Sequence, residues 1–237
     1  MFDKIKPLLD KFKIYRGYPW RHHCLMLLPI CLYVIVSGFM YGFFGDGPYA
    51  FYRVLRESYP LVTDTLRFIT NNYLSIYAVY LIILIRALYI RDKWELQFVL
   101  RSVVYAVLFI TILTHCMKGI TGIQGPGAVG PPRPFEFAKG YMHFPSGHSG
   151  AIITAALPLA FWIGKKSVSV ILCLALTTVC FSRLWLAAHH PVDVLGSVVV
   201  ASLAARCIFL PRRPPDETGA SGPSDNNNLQ GNQRHDP

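Results

Sequence analysis

Long apolar blocks alternate along this chain with short polar or basic segments. Six blocks stand out, near 24–44, 72–90, 97–117, 149–164, 167–187 and 193–210. They lack both the two-residue alternation of a half-buried strand and the broad polar face of a surface helix. The pattern therefore predicts membrane-spanning helices, for which about 20 apolar residues suffice. The fourth and sixth blocks are shorter but still within reach of a span. Pro29 and Pro158 fall inside the first and fourth blocks, where neighbouring helices can accommodate a kink. Ahead of the first block, Phe2, Ile5, Leu8, Leu9 and Phe12 follow a helical stripe with lysines between them. That predicts a basic amphipathic helix lying on an anionic membrane surface. Beyond the sixth block, residues 211–237 are rich in Pro, Gly, Ser, Asn and Asp. Such a segment has too little apolar surface to offset the entropy of ordering, so a disordered tail is expected. The expected architecture is all-α and integral to the membrane. It has an amphipathic segment over 1–22, a bundle of six transmembrane helices over 23–210 and a tail over 211–237.

Composition sharpens this picture. Hydrophobic residues make up 53% of the 237-residue chain and charged residues only 15%, against roughly a quarter charged in soluble domains. The net charge is +10, but the charges sit between apolar blocks and not on one basic face. No nucleic-acid partner is expected; basic loops flanking membrane spans account for the charge. Lys4, Lys6, Lys11, Lys13, Arg16 and Arg21 place the N-terminus in the cytoplasm, and six spans return the C-terminus, with Arg206, Arg212 and Arg213, to the same side. The turns holding Arg91 with Lys93, and Lys165 with Lys166, also fall inside. Segments 45–71, 118–148 and 188–192 fall outside, and the first of these is expected to hold an amphipathic helix near the membrane surface. Arg86, late in the second block, is expected to snorkel to the inner interface. The six cysteines form no close pair and mostly lie in apolar blocks, so they read as buried small hydrophobes and not as disulfides or zinc ligands.

Chemistry concentrates between Tyr141 and Gly196. Phe144-Pro145-Ser146-Gly147-His148 precedes the fourth block. Ser182-Arg183 closes the fifth, followed at fixed distance by His189 and Asp193. Upstream, Lys118 and Arg133-Pro134 flank a loop rich in Gly and Pro. Spans between these segments would bring three cations, two histidines and a carboxylate to one membrane face. Ser146 and Gly147 open a helix, where outward N–H groups and the absence of a side chain on Gly suit an anion. His143, His190 and Lys139 adjoin these motifs and could also reach a ligand.

These segments resemble the signature of the type 2 phosphatidic acid phosphatases, a superfamily of membrane lipid phosphatases. That signature is a Lys followed by Arg-Pro, then Pro-Ser-Gly-His, then Ser-Arg-x5-His-x3-Asp. Here fourteen residues separate Lys118 from Arg133, more than the family's usual spacing. The resemblance implies a metal-independent phosphatase without a cofactor. His189 would be the nucleophile that forms a phosphohistidine, Asp193 its orienting carboxylate and His148 the general acid. Lys118, Arg133, Ser146, Gly147 and Arg183 would bind the phosphate. The implied substrate is a membrane lipid phosphate: phosphatidylglycerol phosphate, undecaprenyl diphosphate, phosphatidic acid or the 1-phosphate of lipid A. The size resembles bacterial members more than eukaryotic ones. This implies the inner membrane with the site facing the periplasm, or a lumen or the exterior in another cell. Two rivals remain at this stage. One is a phosphotransferase using the same phosphohistidine; the other is a non-catalytic lipid-binding or transport protein. The oligomeric state stays open.

Overall fold

In a computed structural model that describes residues 14–128 and 130–211, with the side chains of Asp46 and Lys139 left undescribed, every regular element is a helix. Eight helices follow one another: α1 (Trp20–Tyr41), α2 (Asp46–Ser58), α3 (Pro60–Asn71), α4 (Tyr77–Tyr89), α5 (Lys93–Thr121), α6 (Gly147–Ile163), α7 (Lys166–Trp185) and α8 (Pro191–Ile208). A 3-10 turn, Tyr73–Ile76, joins α3 to α4, and a π-helical stretch, Val107–Leu113, lies inside α5.

Helices α1, α5, α7 and α8 are long and apolar enough to cross a membrane. The pair α3 and α4, bent by 46° at its break, would make a fifth span. Helix α6 is apolar but only 17 residues long, about 25 Å at 1.5 Å per residue. The expected six long spans are therefore not reproduced by helix length. The reason lies in where α6 sits. From Ser149 to Ala160 every residue is buried, and no residue of α6 is exposed. A helix apolar all round is a core helix, and α6 forms the centre of the bundle, packed chiefly against α7 and α8. Its Gly150, Ala151, Ala155, Ala156 and Ala160 are small enough to let neighbouring backbones approach closely. Large apolar side chains point outward instead from the surrounding helices: Leu25, Leu32 and Phe39 on α1, Ile82 and Ile85 on α4, Val103 and Val107 on α5, Ile171 and Leu174 on α7, Val199 and Leu203 on α8. Such a belt would aggregate in water and is satisfied by lipid.

Two expectations change, and two others fall mainly outside the described residues. The stretch expected to hold a single amphipathic helix over 45–71 holds two, α2 and α3. Arg86, late in α4 with its side chain largely exposed, pairs its guanidinium with Glu95 near the start of α5. Of the cysteines, only Cys180 is buried; Cys24 and Cys116 are exposed, and all six are free. The expected N-terminal amphipathic helix falls mainly on residues 1–13, outside the described residues, and 14–19 are not helical. Residues 212–237 of the expected tail also lie outside them.

One buried cation ties α5 to the end of α8. Arg101 on α5 is fully buried and donates from Nε to the carbonyl of Ile208 at 3.2 Å, and from its guanidinium to that of Cys207. These are carbonyls of the last turn of α8, which no later helical amide can reach.

Candidate active site

The motif residues meet through the ends of four helices. Arg183 sits in the last turn of α7. The chain leaves that helix at Leu186, and Ala187 takes a left-handed conformation with φ 49°. This turn lets the amides of Ala188 and His189 donate to the carbonyl of Arg183 at 3.0 and 3.2 Å. The five residues between Arg183 and His189 are thus a folded helix cap, and their number sets His189 beside the arginine that precedes it. Pro191 then starts α8, a position where the missing N–H costs nothing.

Asp193 closes the turn. It is fully buried, and its Oδ2 accepts the backbone N–H of His190 at 2.8 Å and lies 3.2 Å from Nδ1 of His189. One carboxylate therefore caps α8 and orients an imidazole. With Nδ1–H donated to the carboxylate, Nε2 is the nitrogen left to face a ligand. His189 is 8% exposed. Burial, followed by the nearby Arg183 and Lys118 cations, holds its imidazole well below the usual range, because both disfavour a further positive charge. The ring should stay neutral as pH falls through the ordinary imidazole value of about 6.5. Histidine-selective nitrogen NMR on protein in detergent is expected to show His189 as the Nδ1–H tautomer at pH 6. An imidazolium there would overturn this reading.

The second motif is fastened to α8 by two hydrogen bonds. The amide of Ser146 donates to the carbonyl of Asp193 at 3.0 Å. The hydroxyl of Ser197 lies 2.7 Å from the carbonyl of Ser146 and 2.8 Å from that of Asp193, sharing its proton between them. Gly196 is required here, since a Cβ would lie 2.5 Å from the Phe144 ring and 3.2 Å from Cβ of Pro145. The Ser146 side chain caps α6 by accepting from the Ser149 amide at 3.5 Å and is buried behind the helix start. Gly147 and His148 follow as the first two helical residues, and open space lies where a Cβ on Gly147 would be.

Lys118, Gly147, His148, Arg183 and His189 all line one cavity of about 640 Å³. Asp193 and Ser146 stand behind its wall and are absent from its lining. Arg133 is also absent from the lining: it is exposed, with its guanidinium 5.1 Å from the centre of the Tyr141 ring. The long loop between Lys118 and Arg133 is an excursion pinched at its base. The amide of Arg133 donates to the carbonyl of Gly122 at 2.9 Å, and that of Phe135 to Gly119 at 2.7 Å. Gly122 has φ 54°, and a Cβ there would collide with the carbonyl of Arg133. The loop's Gly125, Pro126 and Ala128 roof the same cavity.

Sequence reading left several neighbours unassigned. His143 lines the cavity, donates from Nδ1 to the carbonyl of Ala188 at 3.2 Å, and has its ring centre 5.7 Å from that of His189. His115 lines the cavity one turn before Lys118. His190 lies outside this cavity, buried at the start of α8 with its ring 6.1 Å from Phe44, and the side chain of Lys139 lies outside the described residues. Thr70 accepts a hydrogen bond from Arg183 Nη1 at 3.2 Å, and the Tyr73 ring packs 4.6 Å from that of His148. Among these, His143, His190 and Lys139 carried a signal, their closeness to the motifs, whereas His115, Thr70 and Tyr73 carried none.

A buried imidazole, a half-buried one, two cations and a helix N-terminus around one cavity can bind a dianionic group and present a neutral nitrogen to it. A sequence profile described as PAP2 superfamily matches residues 99–213, which span α5 to α8 and all three motifs. No curated protein and no solved structure matches the chain.

Proposed function

The chain belongs to the PAP2 superfamily, and on that premise we propose that it is a membrane lipid phosphate phosphatase working through a phosphohistidine on His189. Membership implies phosphatase or phosphotransferase chemistry on a lipid-like phosphate; the steps and roles that follow are our reading. The observation that carries it is the 3.2 Å contact between Asp193 and His189, with His189 opening on the cavity that also holds His148, Lys118 and Arg183.

In this mechanism Lys118, Arg183 and the amides at Gly147 hold the phosphate oxygens. Neutral His189 attacks phosphorus through Nε2 while the bond to the lipid oxygen breaks. Asp193 stabilises the positive charge that grows on the imidazole, which is the task of an orienting carboxylate. His148 gives its proton to the departing alkoxide and then takes one from the water that cleaves the phosphohistidine. Inorganic phosphate leaves, and both histidines return to their starting states. Arg133 acts from outside the cavity, by closing the base of the roofing loop. The site faces away from the cytoplasm, six helical segments cross the bilayer, and the lipid headgroup reaches the cavity from the membrane side. The candidate headgroups are those of phosphatidylglycerol phosphate, undecaprenyl diphosphate, phosphatidic acid and lipid A 1-phosphate.

The test is a panel of these lipids offered to purified protein in detergent with a chelator present, with free phosphate counted. Release of phosphate supports the hydrolase. Transfer of the phosphate to a second lipid without release would replace it by a phosphotransferase. Unchanged lipids together with no vanadate binding would leave a non-catalytic protein.

A conservative change of the cradle provides a second check. Arg183→Lys keeps the charge but loses the planar fork that matches phosphate oxygens. Loss of one charge-assisted hydrogen bond predicts a fall in kcat/KM of about 10- to 100-fold. Steady-state kinetics on the best lipid would measure it, and wild-type kinetics would remove Arg183 from the cradle.

A further inference from the structure

The break between α3 and α4 lies outside the part of the chain that matches the superfamily, yet its two flanking side chains touch the candidate catalytic groups. Asn72 ends α3, its amide donating to the carbonyls of Phe68 and Ile69 and its side-chain nitrogen to Phe68 again at 2.8 Å. The chain restarts as the 3-10 turn Tyr73–Ile76 and bends by 46°. The bend sends the two sides to different partners: α3 packs on α7, and the turn packs on α6. These are the helices that deliver Arg183 and His148.

The contacts are specific. Thr70 is 1% exposed, and its Oγ1 is the acceptor for Arg183 Nη1 at 3.2 Å. Arg183 Nε is buried with no hydrogen-bond partner, so this side chain is held at one end while donors remain for an anion. The Tyr73 ring lies 4.6 Å from the His148 ring at an interplanar angle of 44°, and its phenol is within electrostatic reach of Arg183. A guanidinium on a long, rotamer-rich stem gains aim from one fixed bond. An imidazole at the second residue of a helix gains it from a ring packed on its face.

We propose that Thr70 and Tyr73 are positioning residues, Thr70 holding Arg183 and Tyr73 holding His148, so that the broken helix sets the distance between phosphate cradle and proton donor. The proposal rests on the hydrolase reading above. It assigns the otherwise unmatched first half of the chain a part in the reaction, through two helices' worth of packing on the catalytic core.

The two contacts should separate kinetically, because one serves binding of the phosphoryl group and the other serves proton transfer. Thr70→Val keeps the shape and removes the acceptor. It is expected to weaken vanadate inhibition and raise KM by about tenfold with little change in kcat, and Thr70→Ser is expected to restore both. Tyr73→Ala is expected to lower kcat by about tenfold with vanadate affinity unchanged, and Tyr73→Phe to keep the wild-type kcat. Tyr73→Leu, which retains apolar volume, gives the same comparison should the alanine variant fail to elute as a folded species in size-exclusion chromatography. A purely structural role would lower kcat and vanadate affinity in parallel, without rescue by Ser or Phe, and that result would overturn the proposal. Should the wild type release phosphate from no lipid, the hydrolase reading fails, and direct vanadate binding still decides the Thr70 contact. Equal vanadate affinity in wild type and Thr70→Val would end it.

Discussion

His189→Ala is expected to remove turnover, lowering kcat by about 10⁴-fold or more, while leaving the protein folded. The size of the effect follows from the role. In a two-step transfer the nucleophile is consumed and regenerated, so no other group can carry the phosphoryl in its absence. Folding should survive because the elements around His189 have independent supports. Asp193 keeps the His190 amide at 2.8 Å, so the start of α8 stays capped. The amide of position 189 still donates to the carbonyl of Arg183, since that bond is made by backbone. The measurement is phosphate release from a lipid phosphate by both proteins, beside size-exclusion profiles. A rapid acid-free quench with labelled phosphate adds the intermediate: wild type should carry an acid-labile, alkali-stable label and the variant none. Wild-type turnover by His189→Ala would sink the nucleophile assignment.

His148→Ala should show a different pattern, one that depends on the leaving group. A lipid alkoxide is a poor leaving group and needs a proton as it departs, so lipid hydrolysis should fall by about 10²- to 10⁴-fold. A nitrophenolate departs without that help. With p-nitrophenyl phosphate the variant should therefore still release a burst of about one equivalent of nitrophenol. It should then stall as the phosphoenzyme, because the group that would activate water is missing. The readout is a stopped-flow burst followed by counting labelled protein. Equal loss with both substrates would assign His148 to phosphate binding instead of proton transfer. Its place supports the dual role: it is the second residue of α6 and lines the same cavity as Gly147, His189 and Arg183.

Helix type and approximate position were readable from the chain because apolar runs of this length have few alternatives. Each of the six blocks contains or overlaps a helix, and α1, α5, α7 and α8 have the length and composition of spans. What periodicity could not supply was which face of each helix meets protein and which meets lipid. In a bilayer both faces are apolar, so the core helix α6 looks like its lipid-facing neighbours in sequence and differs mainly in its small residues. Helix α3 was hidden for the opposite reason. Its Thr63, Thr65 and Thr70 look polar, but each hydroxyl is satisfied: Thr63 and Thr65 by carbonyls within the segment at 3.0 and 2.8 Å, and Thr70 by Arg183.

The candidate site divides in the same way. Pro-Ser-Gly-His and Ser-Arg-x5-His-x3-Asp are local devices, in which one turn of chain builds a helix cap and aims a side chain. Their chemistry was legible because the spacing itself determines the geometry: five residues to wrap a helix end, three to place a carboxylate under the imidazole. Lys118 was legible as a cation near the end of a span, and its seat in the cavity required the pinch between Gly122 and Arg133 that shortens a long loop to a close approach. Arg133 shows the limit, since its motif position led inward while its side chain rests on Tyr141 at 5.1 Å. Thr70 and Tyr73 had no signature at all. A threonine and a tyrosine in an apolar segment are common, and only packing of a bent helix pair against α6 and α7 distinguishes these two. The chain by itself thus determined the helices, the motifs and the chemistry those motifs can perform, because each rests on contacts within a turn or two. The tertiary structure decided which groups share a cavity, which stand behind its wall and which helix is buried, because those depend on contacts between residues more than a hundred positions apart, such as Thr70 with Arg183.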